Sequence, residues 1–210
     1  DPHQFPELER FTAYLEDQKG KKEPPRAYSL SSAPHERYVA ITVKEERYTS
    51  GVTRFPPLLS PALVREATQG RRMEVVGFTG PYVLPDDVAA VTDHVVHLVA
   101  GSGAVPNFSM LKHALHLNLP VRHTFLCSNK TWEDILFRRQ LEHLELRYPE
   151  KLTVVHTLTR EKDERRLGPL VQKGRIGAEL LRSLIPDPRA CRVFACGPAI
   201  SRWDREAAKE

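Results

Sequence analysis

The sequence predicts two parts: an antiparallel β-rich segment over residues 1–90, then an α/β segment over residues 91–210 built on a doubly wound parallel sheet. The first part carries short β-rich runs cut by proline-laden stretches such as Lys22-Glu23-Pro24-Pro25 and Arg54-Phe55-Pro56-Pro57. That is the grammar of strands joined by long loops. From about Asp93 it changes to short apolar runs alternating with helical stretches. Runs that are apolar throughout, without a polar alternate, read as parallel strands buried on both faces.

Taken in order, the β-rich runs of the first part are Tyr38 to Val43 and Met73 to Phe78. A helix lies between them, with Ser60 as N-cap and Pro61 in the first turn, ending near Gly70. The predicted strands of the second part are His94 to Ala100, Val121 to Cys127, Leu152 to Leu158 and Arg192 to Cys196. Helices are predicted at Pro106 to Leu117, Trp132 to Tyr148 and Arg175 to Ile185, and a further one at Ser201 to Ala208. The middle helix would place Trp132, Ile135, Leu136, Leu141 and Leu144 on one stripe, as packing on a sheet requires. Such a sheet binds ligands beyond the carboxyl ends of its strands.

Composition narrows the function classes. The 210 residues are 40% hydrophobic with net charge +4, enough for real cores. The basic residues do not cluster with aromatics as in a nucleic-acid module. The run Arg160 to Arg166 mixes signs and reads as a solvated loop. Three cysteines give no disulfide framework, which predicts a reducing, cytoplasmic setting. No run approaches the ~18 apolar residues of a membrane span. Nine histidines are present, but no set has metal-ligand spacing with a carboxylate. Cys191 and Cys196 open an iron–sulfur spacing, yet position 199 is Ala, so no cluster is predicted.

Four motifs could carry chemistry. A strand ending in Gly101-Ser102-Gly103, with Pro106 opening a helix, lets the backbone approach a phosphate and aims N–H groups at it. It also reads as an ordinary strand-to-helix turn. Cys196-Gly197-Pro198 ends the fourth predicted strand, beside the first in the expected order, so Cys196 and Ser102 should share one mouth. Cys196 reads equally as a small buried thiol. At Cys127-Ser128-Asn129-Lys130 the second strand ends, where an adenosine ribose lies in this fold. There Ser128 and Lys130 could hold a 2′-phosphate, with no acidic residue before Glu133, or Lys130 could be a solvated lysine. The fourth motif is Arg26-Ala27-Tyr28-Ser29, followed by Ser31-Ser32.

In this order and at these separations, the motifs resemble the ferredoxin–NADP reductase superfamily of flavin-dependent electron-transfer enzymes. Gly101 to Pro106 matches its Gly-[Thr/Ser]-Gly-x-x-Pro, and Pro2-His3-Gln4-Phe5 stands where family members carry Pro-Gly-Gln-Phe. Gly80-Pro81-Tyr82 is a loose counterpart of the loop that ends its barrel. The resemblance implies an incomplete flavin-binding β-barrel over residues 1–90 and an NAD(P)H-binding domain over 91–210. It implies that Arg26 pairs with flavin phosphate, Tyr28 packs on the isoalloxazine, Ser29 bonds N5, and Ser32 lies nearby. The helix from Ser60 would face the flavin pyrophosphate. Gly101, Ser102, Gly103, Pro106, Ser128, Lys130, Cys196, Gly197 and Pro198 would hold the nucleotide. Ser29 and Cys196 would flank the reacting atoms.

The implied activity is NAD(P)H-dependent flavin reduction, with NADPH or NADH as donor and FAD favoured over FMN. Single electrons would pass to an iron–sulfur protein, a ferredoxin or an oxygenase component. A mildly basic face would suit an acidic carrier by steering, or carry no partner meaning. The alternatives are a non-catalytic nucleotide- or flavin-binding module and an electron-transfer subunit of a larger complex.

Overall fold

A computed structural model describes residues 26–45 and 59–198. Within these the chain divides into two compact units. One holds residues 26–28, 43–45 and 59–79; the other holds residues 29–42 and 80–198.

In the first unit, helix α1 spans Leu59–Arg65 and buries Ser60 within it, not at its cap. It stops well short of Gly70, whose φ is +87°. The runs expected as strands do not form them. Tyr38, Val39, Met73, Val75, Val76 and Phe78 are exposed. The one β contact ahead of the sheet is the antiparallel bridge Leu30–Ile41, among the described residues. A strand needs a ladder partner for its N–H and C=O groups, and among the described residues the first run has that single bridge and the second has none. The antiparallel barrel is thus not seen in the described residues. Residues 1–25 and 46–58, with Pro2 to Phe5, lie outside them, as does the expected helix at Ser201 to Ala208.

The second unit is built on five parallel strands in the order β4-β3-β2-β1-β5. They are β1 (His94–Ala100), β2 (Arg122–Asn129), β3 (Leu152–Leu158), β4 (Val171–Lys173) and β5 (Cys191–Cys196). β1 and β3 have the expected bounds, and β2 runs two residues past Cys127 to pair Asn129 with Leu158. β4 was not expected: three residues with one apolar side chain carry no periodicity, and pairing with β3 alone defines it. β5 lies beside β1, with Val99 opposite Cys196. Cys196 thus closes the fifth strand, not the fourth.

Helices α2 (Val88–Val91), α3 (Ala104–His116), α4 (Arg138–Arg147) and α5 (Ala178–Leu184) complete the unit. α3 lays Ala104, Phe108, Leu111 and Leu115 over Val99, Phe125 and Cys127, and Leu141 of α4 joins this core. The helix expected at Trp132 to Tyr148 is broken. Trp132–Asp134 is a 3-10 turn closed by a Thr131–Asp134 capping box, Ile135 is extended, and Phe137 is left-handed at φ 58°. The Phe137 ring stacks on Phe108 with centroids 4.2 Å apart. Reaching that partner diverts the backbone before α4 begins.

Histidines sit inside this sheet. His97 and His123 are buried among apolar side chains, as is His156. Burial first of all lowers each pKa, to about 4 for His97, about 3 for His123 and about 4 for His156. Removing an imidazolium from water costs more than removing an imidazole, so the fold holds all three neutral. Their unfolded value is 6.5. Below it the unfolded chain takes up more protons than the folded one, and stability present above that pH is lost as pH falls towards these depressed values. Urea midpoints are therefore expected to hold steady above pH about 7 and to decline steadily below about 6.5. A midpoint unchanged down to pH about 5 would mean that these histidines titrate as if solvated.

Candidate functional site

The strand order reverses between β1 and β5, which makes their carboxyl ends the switch point of the sheet. β1 leads into a 3-10 turn at Gly101–Gly103 that runs directly into α3, and no side chain caps either. Gly101 is left-handed at φ +52°, and a Cβ built on it would meet nothing within 4 Å. Gly103 is the opposite case. A Cβ there would lie 2.1 Å from the Cys196 carbonyl oxygen and 2.8 Å from the Gly197 nitrogen. A Cβ at Gly197 would in turn press on the Ala100 Cβ at 3.2 Å. The two motifs are thus joined backbone to backbone. Pro106 falls in the first turn of α3, where its missing N–H costs nothing. Ser102, Gly197 and Pro198 are exposed. Cys196 is half-buried, and burial raises its thiol pKa, so it stays protonated at neutral pH.

Below this mouth runs a chain of buried polar groups. Asn107 of α3 is fully buried, and its Nδ2 donates to the Tyr82 hydroxyl oxygen at 3.0 Å and to the Gly103 carbonyl at 3.3 Å. With both amide hydrogens committed, its Oδ1 accepts from His97 Nδ1 at 2.9 Å. That tautomer leaves His97 Nε2 to accept from His123 Nδ1 at 3.1 Å. Tyr82 meets Phe194 of β5 edge-on at 5.9 Å. Burial raises the Tyr82 phenol pKa, the Asn107 hydrogen bond partly offsets that, and nearby Cys196 raises it further.

The carboxyl ends of β2 and β3 form a second lip. Arg160 N donates to the Lys130 carbonyl at 2.7 Å and Thr159 N to that of Asn129 at 3.0 Å, so the chains run on together past the sheet. Lys130 is exposed and Ser128 half-buried. The carboxylate of Glu133 pairs with Arg166 at 2.7 Å. The run Arg160 to Arg166 is more than a solvated loop: buried Glu161 accepts from the N–H groups of Trp132, Lys162 and Asp163.

Of the N-terminal motif, Ser29 and Ser32 belong to the unit that holds the sheet, whereas Arg26, Tyr28 and Ser60 belong to the other. Ser29 is exposed. The buried Ser32 hydroxyl accepts from Ala40 N at 2.9 Å, and its carbonyl accepts from Ser109 Oγ of α3 at 2.7 Å. Ser32 therefore pins its own loop to α3. Cys191 and Cys196 stand at opposite ends of β5, and no group of three possible ligands to a metal occurs among the described residues. No helix among them is long and apolar enough to cross a membrane. Sequence reasoning named Tyr82 only within the loop Gly80-Pro81-Tyr82 and missed Asn107. The one available signal was a polar residue at a core position of an apolar helix.

Gly103→Ala should cost about 3 kcal/mol of stability, the upper end for overpacking, because backbone and not a flexible side chain blocks the new Cβ. Gly177→Ala, where a Cβ meets nothing within 4 Å, should stay within about 0.5 kcal/mol. Urea denaturation of both variants makes the comparison, and equal small effects would mean that the β1–β5 joint is loose.

Comparison with known proteins places this arrangement. Residues 98–201 match the family model described as oxidoreductase NAD-binding domain. The glycine betaine monooxygenase reductase subunit of Chromohalobacter salexigens is 31% identical over 175 residues, 82% of this chain and 44% of that protein. An NADH-cytochrome b5 reductase-like protein of Emericella nidulans is 30% identical over 128 residues, 60% of this chain and 25% of that protein. The chain thus spans less than half the length of either relative. A ferredoxin NADP+ reductase from Neisseria gonorrhoeae, solved with bound FAD and NADP, shares the fold with TM-score 0.57 at 21% identity, covering 88% of this chain and 71% of that one. From Leu98 through β5 the chain thus matches an oxidoreductase NAD-binding domain, and it shares the fold of a ferredoxin NADP+ reductase.

Proposed function

We propose that the chain serves a flavin-dependent NAD(P)H oxidoreductase, with residues 1–90 holding the flavin and residues 91–210 the nicotinamide nucleotide. The observation that carries this reading is the backbone joint of Gly103 with Cys196–Gly197 at the switch point, where doubly wound sheets bind nucleotides. The mouth fits a dinucleotide. Gly101 is left-handed with open space beside it, and the uncapped turn leaves its first N–H groups without side-chain partners for a pyrophosphate.

In this reading Gly101, Ser102, Gly103 and Pro106 receive the pyrophosphate, and Cys196, Gly197 and Pro198 flank the nicotinamide. The protonated Cys196 thiol packs and positions and does not attack. Ser128 and Lys130 receive the adenosine ribose. With Glu133 tied to Arg166, the lip favours the 2′-phosphate of NADPH over the bare ribose of NADH. Arg26, Tyr28, Ser29 and Ser60 are assigned to the flavin by motif, and Ser32 supports their loop. FAD is the favoured flavin, supported by the Neisseria reductase that binds it. When bound, a flavin supplies the conversion of a two-electron hydride into single electrons. The acceptor is a separate protein: an iron–sulfur protein or oxygenase component, supported by the monooxygenase reductase relative, or a cytochrome b5, supported by the other.

Mixing the chain with FAD and NADPH or NADH should bleach the oxidised-flavin absorbance. Nucleotide binding without bleaching would leave a nucleotide-binding module instead. Ser29→Ala should slow that bleaching about 2- to 10-fold, the worth of one hydrogen bond to a reacting atom. An unchanged rate would remove Ser29 from N5. Lys130→Glu should raise KM for NADPH about tenfold more than KM for NADH, with the gap narrowing as salt is added. Equal shifts for both donors would return Lys130 to solvent.

A further inference from the structure

We infer that Tyr82 is a nicotinamide-contacting residue, its phenol O–H donating to the carboxamide of the bound nucleotide and held in place by Asn107. The inference rests on the nucleotide-binding reading of the β1–β5 mouth and adds to it a determinant of which end of the nucleotide is recognised. One nitrogen, Asn107 Nδ2, donates both to the Gly103 carbonyl and to the Tyr82 oxygen. The phenol oxygen is thereby fixed at the same turn that packs on Cys196 and Gly197. Edge-on packing against Phe194 fixes the ring, and Cys196 is near enough to raise the phenol pKa.

Counting donors and acceptors gives the direction of the contact. A phenol has one O–H to donate and lone pairs to accept. Asn107 donates to Tyr82, so the O–H stays available, and no hydrogen bond from it to any described residue is formed. Tyr82 is 38% exposed, so the residue is not sealed within the core. A nicotinamide presents a carboxamide oxygen that accepts, whereas the ring face has no acceptor.

Behind Tyr82 the relay is rigid. Asn107 cannot turn its amide without breaking the bond from His97, and His97 is bonded in turn to His123. The pair resists protonation until about pH 4, so Asn107 keeps one orientation at neutral pH. Asn107 is thus a positioning residue, and Tyr82 is the group that touches the ligand.

Calorimetry on the purified chain and on Tyr82→Phe decides the matter, because that substitution keeps the ring and its contact with Phe194. Two ligands are compared, each with and without the 2′-phosphate: ADP-ribose, which lacks the nicotinamide, and the tetrahydronicotinamide dinucleotide, which keeps the carboxamide but cannot give up hydride. The variant should bind the dinucleotide about 5- to 10-fold more weakly, as for one lost hydrogen bond, and bind ADP-ribose unchanged. Equal weakening of both ligands would assign Tyr82 a purely structural role and overturn the inference. So would unchanged affinity for both. If the unsubstituted chain binds neither ligand, the nucleotide reading of the mouth falls first and the inference with it. If it binds ADP-ribose and Tyr82→Phe makes no difference to the dinucleotide, the nucleotide reading stands and the inference alone fails.

Discussion

The backbone of Gly103 rests against the peptide joining Cys196 to Gly197, at a separation that leaves no room for any side chain. This contact closes the gap between the first and last strands at the point where the strand order reverses. It sets where α3 starts and so where the apolar face of α3 falls on β1 and β2. It also brings the Gly103 carbonyl to Asn107. Packing of this density propagates small displacements, because close-packed interiors do not deform continuously. The Gly101–Gly103 turn, the end of β5 and the buried polar chain beneath them are therefore one mechanical piece.

That piece has an unusual filling. Sheet positions facing α3 are ordinarily aliphatic, yet β1 and β2 place His97 and His123 there, bonded to each other and to Asn107. Neutral imidazoles have nearly the shape of small aromatic rings, and His97 packs as one, stacked on Phe194 and tilted against Phe125. Unlike a phenyl ring, each also carries a donor and an acceptor, which fixes a tautomer and an orientation. The arrangement gives up some apolar burial and gains a specified geometry at the functional edge.

The extent to which this was legible in the sequence follows from how local each signal is. β1 and β3 could be read to the residue because both are predominantly apolar runs buried at nearly every position. β4 could not, since its three residues become a strand only through their partner. The break before α4 was hidden as well. The apolar spacing of Trp132 to Leu144 is that of one helix, and only the distant Phe108 ring explains why Phe137 leaves the pattern. In the site, Gly103 and Cys196 were legible as motif residues and do meet. The link between Tyr82 and Asn107 was not, because a hydrogen bond spanning 25 residues leaves no trace in spacing. The β-rich runs near residues 40 and 75 carry strand-forming residue types but are largely exposed, and the single Leu30–Ile41 bridge is all the pairing they have among the described residues, a reminder that strand propensity describes a surface in search of a partner.

The placement of β5 also governs the order in which the molecule can be made. β1 is flanked by β2 on one side and by the last described strand on the other, with His94 opposite Cys191. During synthesis β1 to β4 and the helices between them can assemble while one edge of β1 stays open. An open edge of apolar strand is a template for pairing with other chains, and late, sequence-distant pairings are slow to form. The strand that completes the β1–β5 mouth is thus also the one that covers the open edge of β1.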